Sequence, residues 1–133
     1  MNSQKLFKGE YAPGLYEIDP TLDTGDFSAA ATAQNFAFFK LNGEEIHDQK
    51  TFIASFAKAA HFPDYAQSNW DAFEECIRDL HWCQAEGYVL LYQNPQTLIN
   101  SQPQDWRIAS DILFTAVQFW QTTATPMFVF VEK

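Results

Sequence analysis

The stretch FPDYAQSNWDAFEECIRDL, residues 62–80, decides how the chain should fold and where it should act. It opens with a proline-bearing loop that carries Tyr65, and it continues with the spacing of a helix. This predicted helix has one base, Arg78, and four acids: Asp71, Glu74, Glu75 and Asp79. Like charges this close on one helix repel each other, so the crowding needs a physical reason.

The predicted helix has an apolar side and an acidic side. Ser68 is the predicted N-cap, and Asp71 three residues later completes an acidic variant of the capping box. Apolar residues spaced three, four and three apart predict a buried stripe of Trp70, Phe73, Ile77 and Leu80. Spacings of four and four predict a separate, solvent-facing line of Asp71, Glu75 and Asp79.

The composition is that of one globular domain with an acidic surface. The 133 residues are 47% hydrophobic and 17% aromatic, which is typical of a chain with one core and excludes a disordered one. A formal net charge of −9 argues against binding to DNA, RNA or anionic lipid, and it favours a cationic partner. From charge alone, an acidic balance that only keeps the protein in solution remains the alternative.

Signals for export or membrane insertion are missing from the sequence. No apolar run approaches the roughly 20 residues of a spanning helix, and the N-terminus lacks the apolar core of a signal peptide. We therefore expect a cytoplasmic protein that binds no membrane. Cys76 and Cys83 form no CxxC pair and are expected to be free thiols.

From residue 35 the order of predicted elements is strand, helix, helix, strand, helix, strand. An aromatic strand comes first, and an amphipathic helix follows with Asp48 as its N-cap. The runs YVLLYQ and MFVFVE indicate strands buried on both faces, and Asp105 is the predicted start of the helix between them. Helical crossovers favour parallel strands. The prediction is an α/β fold with a small three-stranded parallel core sheet and packed helices.

The first 34 residues are predicted to be an N-terminal extension of a domain that spans residues 35–133. Leu15 to Ile18 has the alternation of a strand, which we expect to add at an edge of the sheet. The small and polar residues 21–34 indicate a loop or linker. The extension should therefore contribute one strand plus a loop.

The residues of the acidic helix, taken alone, leave three hypotheses for its function. Paired carboxylates suit acid–base catalysis or a divalent cation, but the chain has no HExxH, P-loop or GxSxG motif. We therefore predict no enzyme, no metal site and no cofactor. A solvated polar face is the second hypothesis, although repulsion between acids four residues apart argues against it. The third is a protein-binding face whose carboxylates replace phosphates in a basic ribonuclease groove, with Tyr65 as an aromatic anchor.

The same residues resemble a known family. The run LNGEEI at 41–46, then a helix, the 62–80 stretch and an apolar strand are similar to the barstar family of small cytoplasmic inhibitors of secreted bacterial ribonucleases. The resemblance covers about residues 36–132 and implies a three-stranded parallel sheet with helices. Its most specific matches are Pro63, Tyr65, Asn69, Asp71, Ala72 and Cys76.

The resemblance implies roles for the candidate site residues. Tyr65 matches the loop aromatic that plugs the ribonuclease active site together with the following helix. Asn69 and Asp71 match contact residues at the start of that helix, and Glu75 matches the acid that occupies the catalytic phosphate site. The full set of predicted partner-binding residues is Tyr65, Asn69, Asp71, Glu74, Glu75 and Asp79.

The chain departs from the family's pattern at several positions. Ala66 and Gln67 replace a second aromatic and a glycine, and Glu74 replaces a frequent aromatic. Glu75 occupies a position where the family usually has an aspartate. Phe119 lies near the position where the family has an acid on its last helix. These departures fit an inhibitor matched to a different toxin, and they also fit a family member that has lost ribonuclease binding.

The sequence thus predicts a non-enzymatic inhibitor of a basic ribonuclease or toxin domain, expected to be a monomer. The immunity protein of a toxin–immunity pair is the most specific form of this prediction. The alternative is a non-inhibitory interaction module with the same fold that binds another basic partner.

Overall fold

The computed structural model describes residues 6–64 and 69–133. No helix within these residues is both long and apolar enough to cross a membrane. In chain order the elements are β1 (Leu15–Ile18), α1 (Phe27–Ala33), β2 (Phe36–Asn42), a 3-10 helix (Gly43–Glu45), α2 (Gln49–Ala60), α3 (Trp70–Ile77), β3 (Gly87–Gln93), α4 (Gln96–Ser101), α5 (Pro103–Gln121) and β4 (Met127–Glu132).

The strands form one parallel sheet in the order β1-β4-β3-β2. Parallel neighbours need long crossovers, which α2 with α3 and α4 with α5 supply between β2, β3 and β4. The predicted α/β fold with a parallel sheet and packed helices is confirmed, but the sheet has four strands and not three. The additional strand is β1, which pairs with β4 at the predicted edge, from Leu15 opposite Val129 to Ile18 opposite Glu132.

Both faces of the sheet are buried, as the continuous apolar runs of β3 and β4 predicted. On one face α2, α3 and α5 pack over a core that includes Phe52 and Phe73. On the other face residues before β2 cover the sheet, with Phe27 among the side chains that pack on Phe128 and Phe130. The acidic helix α3 and the N-terminal residues therefore lie on opposite sides of the sheet.

The N-terminal segment contains a helix that its sequence pattern did not indicate. The prediction of a loop over residues 21–34 is wrong for the part that forms α1. Alanine has the highest helix propensity, and Phe27 and Ala31, four residues apart, bury the same side of α1. The side chain of the N-cap residue Asp26 makes no capping hydrogen bond, so the start of α1 lacks the stabilisation that an aspartate can supply there.

The long helix α5 begins earlier than predicted. Pro103 is its first residue, which suits a residue without an N–H, and Asp105 lies in the first turn instead of starting the helix. The Asp105 carboxylate accepts a hydrogen bond of 2.9 Å from the backbone N–H of Gln49, so it joins the starts of α5 and α2. Asp48 caps α2 as predicted, accepting from the backbone N–H of Thr51 at 2.8 Å.

The Asn42-Gly43 turn after β2 depends on a close backbone approach. A Cβ on Gly43 would lie 2.2 Å from the backbone oxygens of both Gln93 and Asn94, at the end of β3. Asn42 caps the following 3-10 helix by accepting from the backbone N–H of Glu44 at 3.2 Å. Glycine is therefore the residue that lets β2 and β3 end side by side.

Tyr92 places its phenol hydroxyl in the buried core. Its side chain is fully buried, and its ring lies near those of Phe52 and Trp106, at 6.0 and 5.7 Å between centroids. Within residues 6–64 and 69–133 its hydroxyl has no hydrogen-bond partner. Burial raises the pKa of this phenol, because the interior disfavours the charged form.

We expect Tyr92→Phe to raise the free energy of unfolding by about 1 kcal/mol at neutral pH, since it keeps the ring and removes a buried hydroxyl that has no hydrogen-bond partner among the described residues. The raised pKa also makes stability fall above about pH 10, where the unfolded tyrosine ionises and the folded one does not. Urea unfolding at pH 8 and at about pH 10.5 should show a smaller fall for Tyr92→Phe than for the parent chain.

Tyr88 provides a matched control on the same strand. Its hydroxyl donates to the backbone oxygen of Cys83 at 2.8 Å, so Tyr88→Phe should destabilise the protein. Equal losses of stability from Tyr88→Phe and Tyr92→Phe would contradict the assignment of an unsatisfied hydroxyl to Tyr92.

Candidate functional site

Aromatic packing fixes the inner side of α3. Phe73 is fully buried, and its ring lies 5.4 Å from Phe52, 5.0 Å from Phe56 and 5.7 Å from Phe62 between centroids. The predicted buried stripe is confirmed at Phe73, Ile77 and Leu80, whereas Trp70 is only partly buried. The outer side of α3 is thereby held in one orientation.

The N-terminus of α3 differs from the prediction in its capping residue. The N-cap is Asn69, whose side-chain oxygen accepts from the backbone N–H of Ala72 at 2.8 Å. The predicted cap Ser68 and the predicted contact residue Tyr65 lie outside the described residues. Asn69 therefore shapes the candidate site through the backbone, since its oxygen is committed to the helix.

The C-terminus of α3 is fixed by an indole. The Nε1–H of Trp120, on α5, donates to the backbone oxygen of Ile77 at 2.9 Å. Leu80 then adopts a left-handed conformation with φ of 52°, which turns the chain out of the helix. The predicted line of three carboxylates is wrong at Asp79, because α3 ends two residues before it.

A second indole holds the chain just before the site. The Nε1–H of Trp82 donates to the backbone oxygen of Ala60, the last residue of α2, at 3.3 Å. The Trp82 ring also meets Phe62 edge-on at 5.4 Å. Both helix ends around the candidate site therefore have a buried or partly buried tryptophan as a hydrogen-bond donor.

The four predicted carboxylates fall into two groups: two contact a described Arg or His side chain, and two do not. Glu74 forms an ion pair with Arg78, with 3.4 Å between Oε1 and Nη2, and Asp79 contacts Nδ1 of His81 at 2.9 Å. Asp71 and Glu75 are exposed, and no described residue forms a hydrogen bond or ion pair with either carboxylate. The sequence did not predict this division, although the i, i+4 spacing of Glu74 and Arg78 is a signal for their ion pair.

The two exposed carboxylates, on Asp71 and Glu75, repel each other. Asp71 and Glu75 are four residues apart on α3, so their side chains project from neighbouring positions of one face. Asp71, in the first turn, gains from the helix dipole, and Glu75, further along, gains little. The arrangement presents two negative charges on a rigid support, and among the described residues no cluster of His, Cys, Asp and Glu is placed to hold a metal ion.

The family model described as "Barstar (barnase inhibitor)" matches residues 36–132 of the chain. The chain belongs to the barstar family. No individual curated protein matches it significantly. The barstar match begins at the first residue of β2 and ends at the last residue of β4, so it includes α3 and leaves out β1 and α1.

Membership of the barstar family gives the acidic helix a functional context. The family is one of ribonuclease inhibitors and not of enzymes. The departure at Phe119 lies on α5, where the side chain is 37% exposed and its ring meets that of Trp120 edge-on at 5.4 Å. Because Trp120 holds the end of α3, Phe119 lies on the part of α5 that adjoins this helix.

Proposed function

We propose that the protein inhibits a basic, barnase-like ribonuclease by placing the outer face of α3 in the active-site cleft of the enzyme. The observation that carries the proposal is the pair of exposed carboxylates on Asp71 and Glu75, which have no partner among the described residues. Tyr65, Glu74, Asp79 and the amide group of Asn69 would complete the contact surface. The most specific form of the proposal is the immunity protein of a toxin–immunity pair.

The physical basis is charge complementarity with a site built for phosphates. A cleft that binds RNA presents cationic side chains, and carboxylates on a rigid helix can satisfy them in place of the phosphate oxygens. Because Phe73 and the Trp120 indole already fix α3, little conformational entropy is lost when it binds. The self-repulsion of Asp71 and Glu75 is relieved when a partner's cations lie between them.

We expect the association rate constant to fall by about tenfold or more between low salt and about 0.5 M salt, because exposed charges steer the encounter and salt screens them. Stopped-flow fluorescence with the cognate ribonuclease measures this dependence. The double variant Asp71→Asn, Glu75→Gln should have a shallower slope. A rate that stays flat over this range would contradict a charge-steered complex.

The proposal is tested by capture of the partner. Immobilised protein, with the Glu75→Ala variant as its matched control, is exposed to lysate and medium of the source organism, and the retained fraction is assayed for RNA cleavage before and after release. Retained ribonuclease that becomes active only on release supports inhibition. A basic partner without ribonuclease activity would favour the alternative, a non-inhibitory interaction module.

A further inference from the structure

Arg78 places a positive charge on the same helix as the exposed carboxylates of Asp71 and Glu75. It is the only Lys or Arg between Lys58 and Arg107, and it is the C-cap residue of α3. Its side chain is 38% exposed, so it belongs to the surface that the proposed function assigns to the partner. On the outer face of α3, Glu75 therefore lies about one turn and Asp71 about two turns before a cation at the C-terminus of the helix.

The ion pair with Glu74 uses only part of the Arg78 guanidinium. One Nη atom lies 3.4 Å from the Glu74 carboxylate, and the Nε–H donates to the backbone oxygen of Glu74 at 3.4 Å. A guanidinium has five N–H donors arranged for two-point contact with a carboxylate. Among the described residues no other acceptor engages Arg78, so its remaining N–H donors have no described partner.

A uniformly cationic cleft would be a poor match for this surface, because Arg78 would face like charge. Cleavage of RNA without a metal needs a general base for the 2′-hydroxyl as well as cations for the phosphate, and that base can be a carboxylate. Such a carboxylate would be repelled by Asp71 and Glu75 unless a cation of the inhibitor lay opposite it.

We propose that Arg78 is a specificity-determining residue that pairs with a carboxylate in the cleft of the inhibited ribonuclease. This inference rests on the proposed function and names the partner more closely: a ribonuclease whose cleft presents an acid beside its phosphate-binding cations. Arg78 then selects this class over ribonucleases with uniformly cationic clefts.

The test compares Arg78→Ala with Arg107→Ala against the captured ribonuclease, with dissociation constants measured at one salt concentration. Both variants lower the net charge by the same amount, and Arg107 lies 13 residues, roughly 20 Å of helix, before Trp120 on α5. We expect Arg78→Ala to weaken the complex about tenfold and Arg107→Ala to leave it unchanged. Arg78→Lys should lose part of the affinity, because an ammonium lacks the two-point geometry.

A third variant separates contact with the partner from the ion pair within α3. Glu74→Gln breaks the same ion pair and keeps the guanidinium, so it should weaken the complex less than Arg78→Ala. Equal losses in the two variants would overturn the proposal, as would a complex that Arg78→Ala tightens or leaves unchanged. If Arg78→Ala has no effect and Glu75→Ala still weakens the complex, only the inference about Arg78 fails. If Glu75→Ala has no effect either, the proposed function fails as well.

Discussion

Replacement of Glu75 by alanine is expected to weaken the complex with the ribonuclease by about 2–5 kcal/mol, which is roughly 30-fold to several thousandfold. Barstar with barnase is itself one of the complexes on which this range is based, so the magnitude is not an independent prediction for this chain. The physical reason is that the variant leaves a desolvated cation of the partner without its carboxylate. Isothermal titration, or a dissociation rate where binding is too tight to titrate, measures the loss.

The same substitution should change the stability of the free protein very little. Glu75 is exposed and has no partner among the described residues, and its removal relieves repulsion from Asp71. The melting temperature should therefore stay within about 1–2 °C of the parent value. Glu17→Ala on the edge strand β1 removes an exposed glutamate elsewhere and should leave binding intact. A sharp drop in melting temperature with binding preserved would make Glu75 a structural residue.

The sheet could be predicted because its signals are local. Continuous apolar runs indicate buried strands wherever they occur, and helical crossovers between them allow parallel pairing. Helix α1 could not be predicted in the same way, since its burial depends on Phe130, about a hundred residues later in the chain. The start of α5 was misplaced because Asp105 serves Gln49 of another helix, a contact that no local pattern reveals.

The sequence predicts which side chains share the outer face of α3, but it does not predict the contacts that fix this face. Helical spacing indicated that Asp71 and Glu75 share an outer surface, opposite Phe73. It did not indicate that α3 stops at Ile77, because the stop depends on the Trp120 indole and on the left-handed backbone of Leu80. A regular spacing of four therefore continued to Asp79 in the sequence after the helix itself had ended.

Deletion of residues 1–34 is expected to abolish the soluble native monomer. Burying a large apolar side chain stabilises a protein by about 1.5–3 kcal/mol, and the deletion removes several such side chains from the second face: Leu6, Phe7, Ile18 and Phe27. Their summed contribution reaches the whole stability of a typical domain, about 5–15 kcal/mol. The deletion also exposes Val89, Leu91, Phe128 and Phe130 on the sheet, an apolar patch that favours aggregation.

A single substitution tests the same claim in a chain that still folds. Phe27→Ala should lower the free energy of unfolding by about 3–5 kcal/mol, because the ring is buried against Phe130 and the backbone cannot close the cavity fully. Ser28→Ala, at the exposed neighbouring position of α1, is the matched control and should be nearly neutral. Binding to the ribonuclease should survive in both variants, since α1 and α3 lie on opposite faces of the sheet.

The deletion prediction is contradicted if a fragment of residues 35–133 remains a monomer with the parent melting temperature. That result would show that the extension is dispensable and that the barstar-like part buries this face of the sheet without it.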